Sequence, residues 1–146
     1  MSHLTGFNNL FDRFLGKLVE WNPELTDINT LKTTAELLRK VNPRAVLTQF
    51  MDLIRPFYIH VLQENEAFLT DLNNLQKHST FKEYDDKSFA IDKMIVFTSK
   101  WGTYTDSRKA RFWKLIKALV KIGALASHNP EDKKILEYIS ANPHVF

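Results

Sequence analysis

Ser107-Arg-Lys-Ala-Arg-Phe-Trp-Lys-Leu-Ile-Lys-Ala-Leu-Val-Lys-Ile-Gly-Ala-Leu125 is the stretch that decides the fold. At helical pitch, Arg111, Lys114, Lys117 and Lys121 fall along one side. Phe112, Trp113, Leu115, Ile116, Leu119, Val120 and Ile122 fall along the other. The pattern predicts an amphipathic helix whose apolar face is buried, and Thr105-Asp106-Ser107 supplies its caps. A helix of about twenty residues is about 30 Å long. A compact chain of 146 residues has a radius of gyration of about 15 Å, so this helix is expected to cross the body at its centre.

Working outward, Phe7, Leu10, Phe11, Phe14, Leu15 and Leu18 recur at helical spacing and predict a helix from about Asn8 to Glu20, stopped by Asn22-Pro23. A second helix opens at Asp27 as cap, carries Leu31, Ala35 and Leu38, and ends on the basic pair Arg39-Lys40. Asn42-Pro43 restarts the chain. Val46, Phe50, Leu53, Ile54, Phe57 and Val61 then continue one periodicity through Pro56, which predicts a helix kinked there, since proline lacks the amide donor and crowds the carbonyl of Asp52. Phe68, Leu69, Leu72 and Leu75 support a short helix, and Gln76 to Lys87 reads as a polar loop. A fifth helix is expected from about Asp86 to Gly102, with a short strand at Ile-Val-Phe as the alternative. Asn129-Pro130-Glu131-Asp132 starts a last helix that ends before Asn142-Pro143. The expectation is one all-α domain over residues 1–146, a compact bundle of six or seven helices.

Composition agrees with a globular chain: 44% hydrophobic and 25% charged residues, with eleven Phe. The absence of Cys excludes a disulfide framework, thiolate metal sites and cysteine nucleophiles. No apolar run reaches the 18 or so residues of a membrane span, and Met1-Ser-His-Leu-Thr-Gly-Phe lacks a signal-peptide layout. A soluble, intracellular protein is expected.

The chemical motifs are mostly absent. No phosphate-loop, dinucleotide, nucleophile-elbow or zinc-protease signature occurs, and four glycines leave little to build a phosphate cradle. The histidines are scattered. His60 with Glu64 and His128 with Glu131 are spaced for ordinary surface hydrogen bonds or ion pairs. No cofactor, metal or catalytic residue is assigned. An enzyme would need a site assembled from distant residues, marked by a polar cleft converging on His60 or His128.

The charge pattern is more informative. Between Lys100 and Ala126 there are seven Lys or Arg against the single carboxylate of Asp106, although the whole chain carries only +3. The plain reading is a core helix with a solvated outer face. The functional reading makes Lys100, Arg108, Lys109, Arg111, Lys114, Lys117 and Lys121 a surface for nucleic acid or an acidic protein, sensitive to salt and without base-reading motifs. Membrane docking would need the apolar face free and is disfavoured. A homo-oligomer is compatible with the aromatic content, and two-fold symmetry would double the stripe. A purely structural dimer or capsid component would instead show a large apolar patch.

Ile28-Asn-Thr-Leu-Lys-Thr-Thr-Ala-Glu-Leu-Leu-Arg-Lys-Val-Asn-Pro-Arg44, the run from Phe50 to Pro56, Glu64-Asn-Glu-Ala-Phe-Leu69 and Phe112-Trp-Lys-Leu-Ile-Lys-Ala-Leu-Val-Lys121 together resemble small helical proteins of large cytoplasmic DNA viruses, marseillevirus-like ones in particular. The resemblance covers about residues 27 to 126. It implies a viral setting, in the virion or the cytoplasmic factory, and transfers no activity and no site residues.

Overall fold

A computed structural model describes residues 2–69 and 91–146 of the chain, without the side chains of 91–96. Every regular element among the described residues is helical, as the sequence predicts. The first helix, α1 (His3–Trp21), begins earlier than its apolar periodicity, because the Ser2 hydroxyl accepts a hydrogen bond from the Thr5 amide at 3.1 Å and so caps the first turn. Its inner face, Phe7, Phe11, Phe14, Leu15 and Leu18, is almost wholly removed from water. Burial of each such side chain contributes about 1.5–3 kcal/mol. At the far end the Asn22 side-chain amide donates to the Leu18 carbonyl at 2.9 Å, which closes the helix ahead of Pro23.

The second helix, α2 (Thr26–Val41), takes Asp27 into its first turn, where its charge faces the positive end of the dipole, and does not use it as the cap. Ile28, Leu31 and Ala35 face the core. Arg39 reaches across to α1, donating to Asp12 Oδ1 at 2.6 Å and to the Asn8 carbonyl at 3.2 Å.

Pro56 has a stronger effect than the expected kink. The periodic run is divided into α3 (Ala45–Ile54) and α4 (Tyr58–Leu62). With no amide hydrogen on Pro56 to reach the Asp52 carbonyl, the chain turns, and the Phe57 amide donates to Ile54 O at 2.8 Å instead. Residues 66–69 are again helical. The rest of the helix expected through Leu75, the polar loop from Gln76 to Lys87 and the helix start near Asp86 lie outside the described residues.

The segment before the long helix is helical as expected, and not the alternative strand, but its geometry is 3₁₀ over Ile91–Thr103. It delivers Phe97, Trp101 and then Tyr104 to the core. The central helix, α5 (Asp106–Ala126), is capped by Thr105, whose hydroxyl accepts from the Arg108 amide at 3.2 Å. After it, Asn129 caps the 3₁₀ turn Pro130–Asp132, which leads into α6 (Lys133–Ala141) and a final 3₁₀ turn, Pro143–Val145.

α5 is central as predicted: α1, α3, α4 and α6 all pack against it, α1 most extensively. α1 and α5 run antiparallel. Phe14 meets Phe112 with ring centroids 5.7 Å apart, while Gly6 lies beside Ile122 and Gly123 beside Phe7 and Met51. A Cβ on Gly123 would stand 2.7 Å from Met51 Sδ, and one on Gly6 would stand 2.7 Å from Ile122 Cδ1. Gly6 thus leaves room for the Ile122 side chain between α1 and α5, and Gly123 for the Met51 side chain between α5 and α3. None of the helices among the described residues is long and apolar enough to cross a membrane.

Candidate functional site

The packing of the molecule sorts the seven candidate cations, six on α5 and Lys100 on the 3₁₀ helix before it, into two groups. Phe112, Trp113, Leu115, Ile116, Leu119 and Val120 are buried, which turns the opposite side of the helix outward. Arg108, Arg111, Lys114 and Lys121 are exposed there and have no carboxylate partner among the described residues. From Arg108 to Lys121 the helix rises about 20 Å.

The other three are tied to carboxylates brought in by the fold. Lys117 Nζ donates to Glu64 Oε2 and, at 2.7 Å, to the Val145 carbonyl, and only 12% of its side chain remains exposed. Glu64 makes this contact from a left-handed backbone conformation, φ 53°, which costs a non-glycine residue about 1–2 kcal/mol. Lys109 lies 3.5 Å from Glu66 and 5.4 Å from the centre of the Trp101 ring, and the indole N–H of Trp101 donates to the same Glu66 carboxylate at 3.1 Å. Lys100 lies 3.7 Å from Glu24. Lys117 and Lys109 thus fasten α4 and the 66–69 turn to α5.

Two further cations lie beside this group, and one of them, Arg13, joins the exposed set. In the antiparallel α1–α5 pair, Arg13 and Lys17 line a shallow groove with Arg111, floored by Gly16 and Leu115. Lys17 is partly neutralised by Glu20 at 3.3 Å; Arg13 is exposed. Their spacing of four residues off the apolar face of α1 was visible in the sequence, but which helix they would neighbour was not. At the other end, Lys121 Nζ sits 5.4 Å above the Phe146 ring. Tyr104, at the head of α5, is buried, which raises its phenol above the ordinary tyrosine value. The Asn22 side chain and the Arg108 charge pull in the opposite direction.

Among the described residues the histidines show no catalytic pairing. His60 stacks on Phe68, with centroids 4.9 Å apart and planes 8° from parallel, and its Nδ1 lies 3.1 Å from the Asn65 amide nitrogen. Glu64, its expected partner, is engaged by Lys117. His128 stands at the edge of a polar cleft between the first turns of α3 and the 127–129 connection. The hydroxyl beside it is committed elsewhere: Ser127 Oγ donates to Asp132 Oδ2 at 2.6 Å and accepts from the Asn129 amide.

Asp132, 1% exposed, also receives Arg55 through Nε at 2.7 Å and Nη2 at 3.0 Å, while Arg55 Nη1 donates to Asp52 at 2.8 Å. The bond to Asp132 outweighs burial and holds the Arg55 guanidinium above the ordinary arginine value. This network is a latch that fixes the start of α6 to α3, and it lacks the nucleophile–base geometry of a hydrolase. Among the described residues no three His, Asp or Glu side chains are grouped to hold a metal ion. Compared with protein-family models, curated proteins and solved structures, the chain matches none.

Proposed function

We propose that the protein is a non-enzymatic binding domain whose exposed α5 face contacts a polyanion, the phosphate backbone of nucleic acid. The observation that carries this reading is the division of the cations. Three of the seven are engaged by carboxylates, Lys117 and Lys109 in pairs that hold the fold and Lys100 in an exposed one, whereas Arg108, Arg111, Lys114 and Lys121 stay solvent-facing along one helix, with Arg13 added from α1. A face needed only for solvation has no requirement for one sign of charge over about 20 Å. Phosphates spaced along a strand do. The absence of base-reading motifs from the stretch makes the contact sequence-independent. The resemblance to viral helical proteins supplies the setting of the proposal, the virion or the cytoplasmic factory.

The test is binding of short duplex DNA and single-stranded RNA across a salt series. Five exposed cations give a slope of log K against log salt of at most about −4.5 for duplex DNA, and each one removed lowers its magnitude by about one. The triple variant Arg111→Gln, Lys114→Gln, Lys121→Gln is expected to keep its fold and lose most of the binding. Lys117→Gln is expected to lower stability and leave the salt slope unchanged. Absence of binding at low salt, or binding indifferent to the triple variant, rejects the proposal and leaves an acidic protein partner or self-assembly as the competing account.

A further inference from the structure

The polar cleft beside His128 is independent of the cationic face. It has a volume of about 400 Å³, within the range of about 300–1,000 Å³ usual for small-molecule sites. One wall is the outer stripe of α3, where Arg44, Thr48, Asp52 and Arg55 follow one another at three- and four-residue spacing; the other is Ser127-His128-Asn129. Leu47 and Met51 close its floor and are 1% exposed. Ligand contacts must therefore come from the polar walls.

The charges of those walls are unequally satisfied. Arg55 is held by both Asp132 and Asp52, and the three groups together carry one net negative charge, which lies at the other end of the wall, about 12 Å along α3 from Arg44. Arg44 is different. One Nη donates to the Ala126 carbonyl at the end of α5, which fixes the guanidinium at the cleft wall, and no carboxylate among the described residues pairs with it. Its remaining N–H groups form a planar fork suited to a carboxylate or phosphate. Arg44 is also the residue from which α3 starts, and that helix has neither a side-chain cap nor an acidic residue in its first turn. The positive end of its dipole therefore adds to the same region. Thr48, one turn further on, and His128 across the cleft supply neutral or cationic donors, and both are exposed.

We infer that this cleft is a binding site for the oxyanion group, carboxylate or phosphate, of a small molecule, with Arg44 as the anchoring charge and Thr48 and His128 as secondary donors. A half-buried cation held in place by a carbonyl, with no carboxylate at ion-pair distance among the described residues, is the observation that distinguishes it from the paired Arg55 further along the wall.

The probes are inorganic phosphate and citrate, titrated against chloride-balanced solutions of constant ionic strength and followed by NMR at the His128 ring and the 45–48 backbone amides. Saturable shifts at these positions are expected, at least tenfold weaker in Arg44→Gln and unchanged in the Arg111/Lys114/Lys121→Gln variant, which separates this site from the cationic face. Arg44 also supports the end of α5. Should Arg44→Gln lose its fold, the double variant Thr48→Val, His128→Gln decides, with at least a threefold loss expected. Phosphate and citrate responses side by side tell which oxyanion the site prefers. Shifts that do not saturate, that persist in these cleft variants, or that vanish with the stripe lysines overturn the inference.

Discussion

Removing the Asp132 carboxylate leaves Arg55 with only the exposed Asp52 and leaves the Ser127 hydroxyl without an acceptor. Breaking a buried ion pair by deleting one partner costs about 3–5 kcal/mol. Because 22% of the Arg55 side chain still reaches water, the lower end applies, and Asp132→Ala is expected to cost about 3 kcal/mol in urea denaturation. A loss below about 1 kcal/mol, the scale of an exposed pair, shows that the latch is not a fold determinant. Tyr104 gives a pH signature. Its phenol is held neutral in the fold by burial, with a value above the unfolded 10.0. The unfolded chain therefore releases this proton first as the solution turns alkaline. The stabilisation is complete below pH 10.0 and is lost as the pH rises from there through the folded value. Tyr104→Phe is expected to flatten the part of the alkaline decline that this residue causes, and to change neutral-pH stability by less than about 1 kcal/mol, because its hydroxyl has no good hydrogen bond to lose. Parallel stability–pH curves for the two proteins contradict the assignment.

Helices differ in how much of their behaviour a local sequence window carries. Leu119 lies at the middle of α5 with no exposed surface, so Leu119→Asp places an unpaired carboxylate where nothing solvates it. The cost exceeds about 4 kcal/mol, most of the stability of a domain near the lower end of the usual range of about 5–15 kcal/mol, and loss of the fold is expected. A cooperative thermal transition retained by this variant disproves the burial of that face. The periodicity of Phe112 to Val120 announces that burial in the sequence, as the Thr105 and Asn129 caps announce where helices begin. Pro56 was equally visible, but whether it bends or divides the helix depends on where the Phe57 amide finds an acceptor, which a one-dimensional pattern does not contain. The division of the cations was illegible for a related reason. Glu64 lies 53 residues from Lys117 in sequence and Glu66 lies 43 from Lys109, and only the fold brings them together. Nor does any glycine or asparagine at position 64 signal the left-handed turn that aims Glu64 at its lysine. The 3₁₀ geometry of Ile91–Thr103 likewise has no signature in an apolar spacing that reads equally well as α-helix.

At the scale of the molecule, the helix near one end of the sequence is completed by a helix near the other. Phe7 and Phe11 reach Phe50 of α3 with ring centroids 5.4 and 6.3 Å apart, but Phe14 is covered by Phe112, Gly6 lies against Ile122 and Phe7 against Gly123. A protein growing from its N-terminus at about 5–20 residues per second makes those partners about 5–20 s after the first phenylalanine. During that interval α2 and α3 are the early surfaces among the described residues against which α1 packs, and the part of its aromatic side that α5 covers stays open. The antiparallel pair therefore sets a timetable as well as a shape: the core does not close until α5 has been made, and a chain stalled before α5 is expected to hold Phe14 without the Phe112 ring that covers it.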